Sequence, residues 1–200
     1  VGATGSRATE RQSRGGLGSM ADVLQELIAT ADFPTPVSRA LQSARVLADA
    51  GDMAAAIDRM AVTLTAELQD QSPVILGVLP GGSYLLGALM QRMVFPLQIA
   101  HCGFDGDEPI VAGDLPSLTE RLVVVVDDGQ MRASQAEALL AVLSGHQTGP
   151  VWRCSVIQRT ASSEFARQLG VVTTDSSGVF GCGLDVLGYC RNLPSLYRTA

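Results

Sequence analysis

The sequence contains no lysine, so all fourteen of its basic residues are arginine. Without lysine, the protein cannot form a Schiff base or place an ammonium point charge on a phosphate. Aromatic residues make up only 4% of the chain, so aliphatic side chains must fill the core. No apolar run is long enough to span a membrane, and no secretory signal is visible. These absences predict a cytoplasmic protein that does not bind membranes.

Signatures of zinc sites and of nucleic-acid binding are also lacking. The four cysteines show no CxxC spacing and the two histidines lie far apart, which argues against a structural zinc site. The formal charge is −6, and residues 1–19 carry a net charge of +2, so the remainder carries −8. An acidic body argues against broad nucleic-acid binding, although a small nucleotide can still find a local anion site.

The chain divides near Met20. Residues 1–19 are rich in glycine, serine and arginine and have no apolar period, so we expect a disordered extension or a tag remnant there. A transit peptide is the alternative. The rest, 20–200, has the length of a single domain. Its first part is helical in pattern, with helical spacing continuing through Ala44 and Leu47 and with Asp52 as the cap of a longer helix. The apolar stripe of this longer helix comprises Ile57, Met60, Ala61, Leu64 and Leu68.

Beyond Pro73, strands alternate with helices. The predicted strands are 74–79, 95–104, 122–126, 151–157, 171–172 and 179–182. The predicted helices are 84–93, 134–143 and 164–169, and a polar loop is predicted at 105–120. Ser134, with Glu137 three residues on, is expected to cap the second of these helices. This alternation predicts an α/β fold with a mainly parallel central sheet flanked by helices.

Two predicted strands end in residues suited to ligand binding. One strand ends in Pro80-Gly81-Gly82, where the glycines allow an anion to approach the backbone closely. Another ends in Asp127-Asp128, and a buried carboxylate pair is costly unless it holds a metal, hydroxyls or amides. The alternative is that both aspartates are solvated turn residues or caps. Because ligands of parallel sheets bind at strand carboxyl ends, we expect the two loops to face each other.

Four segments, in this order, resemble the hypoxanthine-guanine branch of the type I phosphoribosyltransferases. They are GVLPGGSYLLGALMQRM, RLVVVVDDGQMRASQAEALL, WRCSVIQRT and GCGLDVLGYCRNLPSLY, within a likeness that covers roughly residues 53–200. The resemblance implies the type I phosphoribosyltransferase fold, with a small hood built from the terminal segments. It also implies transfer of ribose 5-phosphate from phosphoribosyl pyrophosphate to a 6-oxopurine, with Mg²⁺ and release of pyrophosphate, as in purine salvage.

The resemblance also implies a role for each matched residue. It assigns Pro80, Gly81, Gly82 and Arg191 to the pyrophosphate, and Arg132, Ala133, Ser134 and Gln135 to the 5-phosphate. It assigns Asp127 and Asp128 to the ribose hydroxyls and a first magnesium, and Asp185 to a second magnesium. Gln158 and Val179 are assigned to the purine.

Four features of the sequence depart from the pattern of this family. Met131 stands where the family has an acidic residue near purine N7, so no proton can be transferred from that position. Gln158 replaces a lysine that reads the 6-oxo group, and Gly178 replaces an aromatic residue that stacks on the base. The loop between the second and third strands is short and lacks the Ser-Tyr pair of the family's lid.

Three hypotheses follow from this sequence. The first is an active but slow 6-oxopurine phosphoribosyltransferase. The second is a non-catalytic relative that binds a nucleotide or phosphate in a structural or regulatory role. The third, an unrelated α/β protein such as a hydrolase, lacks support because Gly103, Gly106 and Gly113 form no nucleophile elbow and Ser83 has no apparent histidine partner. The expected partners are phosphoribosyl pyrophosphate and a purine or its nucleotide, and the expected assembly is a homo-oligomer.

Overall fold

A computed structural model describes residues 20–159 and 164–199 of the 200-residue chain. The helices of this part are α1 (Met20–Thr30), α2 (Thr35–Ser43), α3 (Ala50–Leu68), α4 (Ser83–Met90) and α5 (Ala133–Gly145). Its strands are β1 (Arg45–Ala48), β2 (Val74–Val78), β3 (Gln98–Asp105), β4 (Glu108–Ala112), β5 (Val123–Asp127), β6 (Val151–Gln158), β7 (Arg167–Thr173), β8 (Val179–Phe180) and β9 (Leu196–Arg198). The prediction for residues 1–19 lies outside the described residues.

The centre of the molecule is a six-stranded sheet with the order β4-β3-β2-β5-β6-β7. Strand β2 pairs in parallel with both β3 and β5, and β6 pairs in parallel with β5 and β7, whereas β4 is antiparallel to β3. Every residue of β2 and β5 is buried, as the unbroken apolar runs VILGV and VVVVD predict for strands covered on both faces. The predicted mainly parallel sheet is therefore confirmed.

Helices cover both faces of this sheet. Residues Val124 and Val126 of β5 share a core cluster with α3 and α4, and Val123 and Val125 share another with Leu139 and Leu143 of α5. The split arises because successive side chains of a strand point to opposite faces. The carboxyl ends of β2 and β5 consequently lie side by side between two helical layers.

A second, three-stranded sheet, ordered β1-β9-β8, forms a hood together with α1 and α2. Strand β9 pairs antiparallel with both neighbours. The hood has its own small core, in which the rings of Phe180 and Tyr197 stack with their centroids 5.3 Å apart beside Leu24, Val37 and Leu41. The predicted hood from the terminal segments is thus present.

Two predictions for the N-terminal part were wrong. The helical spacing through Ala44 and Leu47 does not continue a helix, because α2 ends at Ser43 and β1 pairs with β9 far along the chain. Asp52 does not cap α3. The cap is Asp49, whose carboxylate accepts the Asp52 N–H at 2.8 Å, while Asp52 accepts the Asp49 N–H in return. The apolar stripe predicted for α3 is buried.

The segment 105–120 is not simply a polar loop, because it contains β4. Asp105 pairs with Glu108, so Gly106 and Asp107 form a two-residue hairpin turn with Gly106 at φ +61°. The strand was missed because Pro109 and its polar flanks are typical of a loop. Such a strand is tolerated at the edge of a sheet, where an N–H need not be paired.

Two predictions further along the chain were also wrong. Part of the predicted helix 164–169 belongs to β7, because the free edge of β6 offers backbone pairing that outweighs the helical propensity of these residues. Ser134 does not cap α5. Instead, Gln135 Oε1 accepts the Arg132 N–H at 3.1 Å.

All four cysteines are free and buried. Within the described ranges, the structure contains no helix long and apolar enough to cross a membrane.

Candidate functional site

The two strand-end loops predicted to face each other are in contact. A Cβ atom at Gly81 would lie only 2.0 Å from Asp128 Oδ2, so the turn after β2 packs directly on the carboxylate after β5. The Leu79–Pro80 peptide bond in this turn is cis. Because no side chain fits at position 81, glycine here sets how closely the two loops approach. Pro80, Gly81 and Asp128 therefore form one edge of a single site.

Arg191 joins the hood to this edge. Its Nη1 lies 3.6 Å from Asp128 Oδ2, and its Nη2 lies 2.5 Å from Asp185 Oδ1. Nη1 also donates to the Gly183 carbonyl at 2.6 Å. Gly183, at φ +100°, backs onto the turn, because a Cβ there would lie 2.3 Å from the Gly81 carbonyl oxygen. Two carboxylates and one guanidinium thus converge on the glycine turn.

The pKa of the Asp128 carboxyl is raised above its ordinary value. Burial raises the pKa of the Asp128 carboxyl, and the neighbouring Asp127 carboxylate adds to the rise. The backbone N–H of Gln130, which donates to Asp128 Oδ1 at 2.9 Å, and the Arg191 guanidinium act in the opposite direction. Desolvation is the largest cause of the raised pKa of Asp128. Its carboxylate is therefore incompletely compensated by the positive charge around it and is suited to bind a cation.

Asp127 is held differently. Only 1% of it is exposed, and its carboxylate accepts hydrogen bonds from Arg153 Nε at 2.6 Å and from Arg153 Nη2 at 3.0 Å. The Gly129 N–H donates to it as well. A bidentate guanidinium contact of this kind satisfies both oxygens. Asp127 already has a cationic partner inside the protein.

The predicted phosphate loop carries a similar internal contact. Arg132 donates from Nη2 to Asp107 Oδ1 at 2.6 Å and to the Gly106 carbonyl at 2.7 Å. Gln135 Nε2 donates to the same carbonyl at 2.9 Å. Ala133 and Ser134 lie exposed in the first turn of α5. The hairpin turn between β3 and β4 therefore already occupies the arginine that was predicted to bind the 5-phosphate.

Two adjoining cavities open at this end of the sheet. The smaller, about 140 Å³, is bounded by the Pro80 turn, Asp128 and Arg191. The larger, about 390 Å³, extends over β6 and β7 and is bounded by residues that include Gln158. Gln130 and Met131 line both cavities and separate them.

Two residues predicted at the purine lie elsewhere. Val179 is buried in the hood at 2% exposure, and Gly178 packs against Thr199. Neither is among the described residues that line the two cavities. The structure brings together the pyrophosphate turn, Asp128, Asp185 and Arg191, but it does not bring Gly178 and Val179 to the open space beside Gln158.

The carboxylates at this edge that could hold magnesium are Asp128 and Asp185, and Asp185 already has Arg191 Nη2 at 2.5 Å from its Oδ1. Within residues 20–159 and 164–199, no group of three or more histidine, cysteine, aspartate or glutamate side chains forms a preformed metal cage. Magnesium does not need one, because it often binds through one or two carboxylates together with substrate phosphates. The desolvated carboxylate of Asp128 fits that role, whereas the carboxylate of Asp127 is already neutralised by Arg153.

Sequence reasoning missed Arg153 and Asp107. A signal for Arg153 was present, because a single charge within the strand VWRCSVIQ has to find a partner when it is buried. Asp107 gave no comparable signal, since an acidic residue after a glycine in a turn is ordinary.

Comparisons with known proteins bear on the fold. No protein-family model matches this sequence, and no curated protein is similar enough to it to count as a match. A hypoxanthine phosphoribosyltransferase from Staphylococcus aureus superposes with a TM-score of 0.68 at 20% identity, over 78% of this chain and 92% of that one.

Two further solved structures give the same result. A hypoxanthine-guanine-xanthine phosphoribosyltransferase has a TM-score of 0.67 at 22% identity, over 78% of this chain and 96% of that one. The hypoxanthine-guanine phosphoribosyl transferase of L. donovani has a TM-score of 0.68 at 17% identity, over 78% of this chain and 99% of its own. This chain therefore has the type I phosphoribosyltransferase fold, in the form found in hypoxanthine-guanine phosphoribosyltransferases.

Proposed function

We propose that this protein binds phosphoribosyl pyrophosphate together with magnesium at the Asp128 edge and transfers its ribose 5-phosphate slowly to a 6-oxopurine. The observation that carries the proposal is the convergence of Asp128, Asp185 and Arg191 on the Gly81 turn. Carboxylates for a cation, a guanidinium for a phosphate and a close backbone approach are what a pyrophosphate with its metal requires.

In the reaction, the bond between ribose C1 and the pyrophosphate oxygen breaks, and a bond from C1 to a purine ring nitrogen forms. The displaced pyrophosphate carries away the bonding electron pair, and the ring nitrogen loses its proton. Arg191, which lines the smaller cavity together with the Gly81 turn, stabilises the departing charge. Magnesium, held by Asp128 and Asp185, would add positive charge there. Met131 cannot accept the proton, so it goes to solvent, and about a hundredfold or more in rate is lost.

A second candidate is a non-catalytic protein that binds a nucleotide or phosphate. It is favoured by the internal partners of two predicted ligand-binding residues, since Arg153 engages Asp127 and Asp107 engages Arg132. Both candidates require ligand binding at Asp128. Only the first requires nucleotide formation.

A thermal-shift titration with phosphoribosyl pyrophosphate and magnesium tests the binding common to both candidates. At a hundred times the Kd, binding stabilises the native state by about 2.7 kcal/mol, which raises the Tm by roughly 5–10 °C. We expect Asp128→Asn to abolish the shift and Asp70→Asn, an exposed site just after α3, to leave it unchanged. A shift that survives Asp128→Asn would place the ligand elsewhere and refute the proposal.

Turnover separates the two candidates. Wild-type protein is supplied with phosphoribosyl pyrophosphate, magnesium and hypoxanthine or guanine, and nucleotide formation is followed over hours. Slow formation that disappears in Asp128→Asn supports the transferase. Binding with no nucleotide formed supports the non-catalytic protein.

A further inference from the structure

The two edges of the central sheet differ in their protection against further strands. Strand β4 forms one edge and carries Pro109, which has no N–H to offer a neighbouring strand. Strand β7 forms the other edge in the described part of the chain. Its seven residues, RQLGVVT, include no proline and pair with β6 in a register that stays constant along the strand. A long and regular edge of this kind is a ready template for another strand.

The backbone groups that face this edge follow from the hydrogen bonds on the other side of β7. The Thr174 N–H, one residue beyond β7, donates to the Gln158 carbonyl at 3.0 Å, so the even-numbered residues of β7 direct their backbone groups towards β6. Successive residues of a strand alternate in this direction. The N–H and C=O groups of Leu169 and Val171 therefore point away from β6, and no strand of the described part pairs with them.

A cavity of about 180 Å³ opens beside the centre of this edge. It is lined by residues 169–171 of β7 and by residues of α3 that include Arg59. Arg59 is exposed, and its guanidinium has no hydrogen-bond or ion-pair partner among the described residues. The other arginine at this edge, Arg167, is already engaged by Glu67. The cavity therefore presents one uncompensated positive charge next to open backbone donors and acceptors.

We propose that the β7 edge binds an extended acidic peptide, which adds a strand to the sheet and places a carboxylate against Arg59. Main-chain hydrogen bonds to Leu169 and Val171 supply affinity, and every second side chain of the peptide lies on the α3 side of the sheet. The guanidinium of Arg59 selects a carboxylate at that position. A second copy of this chain fits less well, because β7 contains no aspartate or glutamate to meet Arg59.

This surface is separate from the proposed ribose-phosphate site. The cavity beside Arg59 and the cavity at Asp128 share no lining residue among those that the structure describes. Peptide binding at β7 consequently does not depend on phosphoribosyl transfer, and either can be present without the other.

Titration of the wild-type protein with three peptides, followed by NMR, tests the proposal. Each peptide has nine residues in which valine alternates with threonine, and the central residue, on the valine face, is glutamate, glutamine or arginine. We expect the Kd of the glutamate peptide to be about twofold to fivefold lower than that of the glutamine peptide, as for an exposed ion pair, and the arginine peptide to bind most weakly. The advantage of glutamate should shrink as salt is added.

Amide hydrogen exchange of the complex identifies the strand that is added. We expect the Leu169 and Val171 amides to become protected from exchange when peptide is bound. The amides of Gln168 and Gly170 already face β6, so their exchange should not change. Binding at any other surface would not produce this alternation.

Arg59→Gln separates the selection of a carboxylate from the addition of a strand. Its side chain is exposed, so the substitution should leave the fold intact. We expect the preference for glutamate to disappear, while the glutamine peptide binds as before and still protects Leu169 and Val171. Arg39→Gln removes another exposed arginine, from α2, and as the matched control it should preserve the preference.

Three results would overturn the proposal. One is that none of the peptides protects the Leu169 and Val171 amides. Another is a preference for glutamate that is absent in the wild type or that survives in Arg59→Gln. The third is protection of the same two amides in peptide-free protein that rises with protein concentration, which would show that a second copy of this chain occupies the edge.

Discussion

Replacing Arg153 by methionine should destabilise the protein severely. Arg153 and Asp127 have side-chain exposures of 13% and 2%, and the guanidinium contacts both carboxylate oxygens. The substitution keeps an aliphatic stem but leaves the Asp127 carboxylate buried, with the Gly129 N–H as its remaining described donor. Breaking a buried pair by removing one partner costs about 3–5 kcal/mol, because an uncompensated charge stays in a medium of low dielectric.

The free energy of unfolding can be measured by urea titration and followed through the fluorescence of Trp152, the single tryptophan of the chain. For a domain of this size, the predicted loss corresponds to a fall in Tm of roughly 6–20 °C. Arg92→Met is the matched control. Its partner Asp58 is 61% exposed, so we expect a loss of no more than about 1 kcal/mol.

The double variant Arg153→Met, Asp127→Leu completes the test. Removing both charges should restore most of the stability lost in Arg153→Met, since apolar replacements of a buried ion pair are often neutral or stabilising. Two results would refute this reasoning. One is a loss below about 1 kcal/mol in Arg153→Met, which would mean that Asp127 finds another partner, such as a metal. The other is a double variant no more stable than the single one.

Three further predictions concern the site. Gly81→Ala should cost about 1–3 kcal/mol in unfolding free energy and abolish the ligand-induced rise in Tm, because the new Cβ would collide with Asp128. The control is Gly87→Ala in α4, where open space surrounds the new Cβ, and it should be neutral or stabilising in the same urea titration. Burial raises the pKa of the Asp128 carboxyl in the folded state above its value in the unfolded state. The stability that this carboxyl contributes is therefore fully present below the unfolded-state pKa of about 4 and is lost as the pH rises through the folded-state pKa. Asp128→Asn should therefore be more stable than wild type at pH 7, with a difference that shrinks towards pH 4 in thermal melts, and a constant difference would refute the assignment. Asp107→Asn should free Arg132 and tighten binding of inorganic phosphate measured by calorimetry, and unchanged binding would show that the Asp107 contact does not compete with a ligand.

The sequence predicted most of the layout of this protein. Continuous apolar runs identified β2 and β5 as strands covered on both faces, and the amphipathic stripe identified α3. Glycines and carboxylates at strand ends placed the Pro80 turn opposite Asp128, because parallel strands bring their carboxyl ends to one edge of a sheet. These features depend on local periodicity and on the order of elements, both of which are written in the sequence itself.

Pairing at the sheet edges was decided by tertiary structure. Residues 167–169 at the start of β7 were predicted as helix and the residues of β4 as a loop, yet each segment completes the hydrogen bonding of a neighbouring strand. The same holds for β1, which pairs with β9 from the opposite end of the chain. Local propensities are weak, so the chance to satisfy exposed backbone groups outweighs them.

The electrostatics of the site were likewise set by the fold. Arg153 meets Asp127 across 26 positions of sequence and Arg132 meets Asp107 across 25, because β5 lies beside β6 and the β3–β4 hairpin reaches the start of α5. The sequence supplied these charges and even placed Asp127 and Asp128 next to each other. Only the tertiary structure gave Asp127 an internal cation from β6 and placed Asp128 against the Gly81 turn, since a charge removed from water takes whichever partner the packing brings within reach.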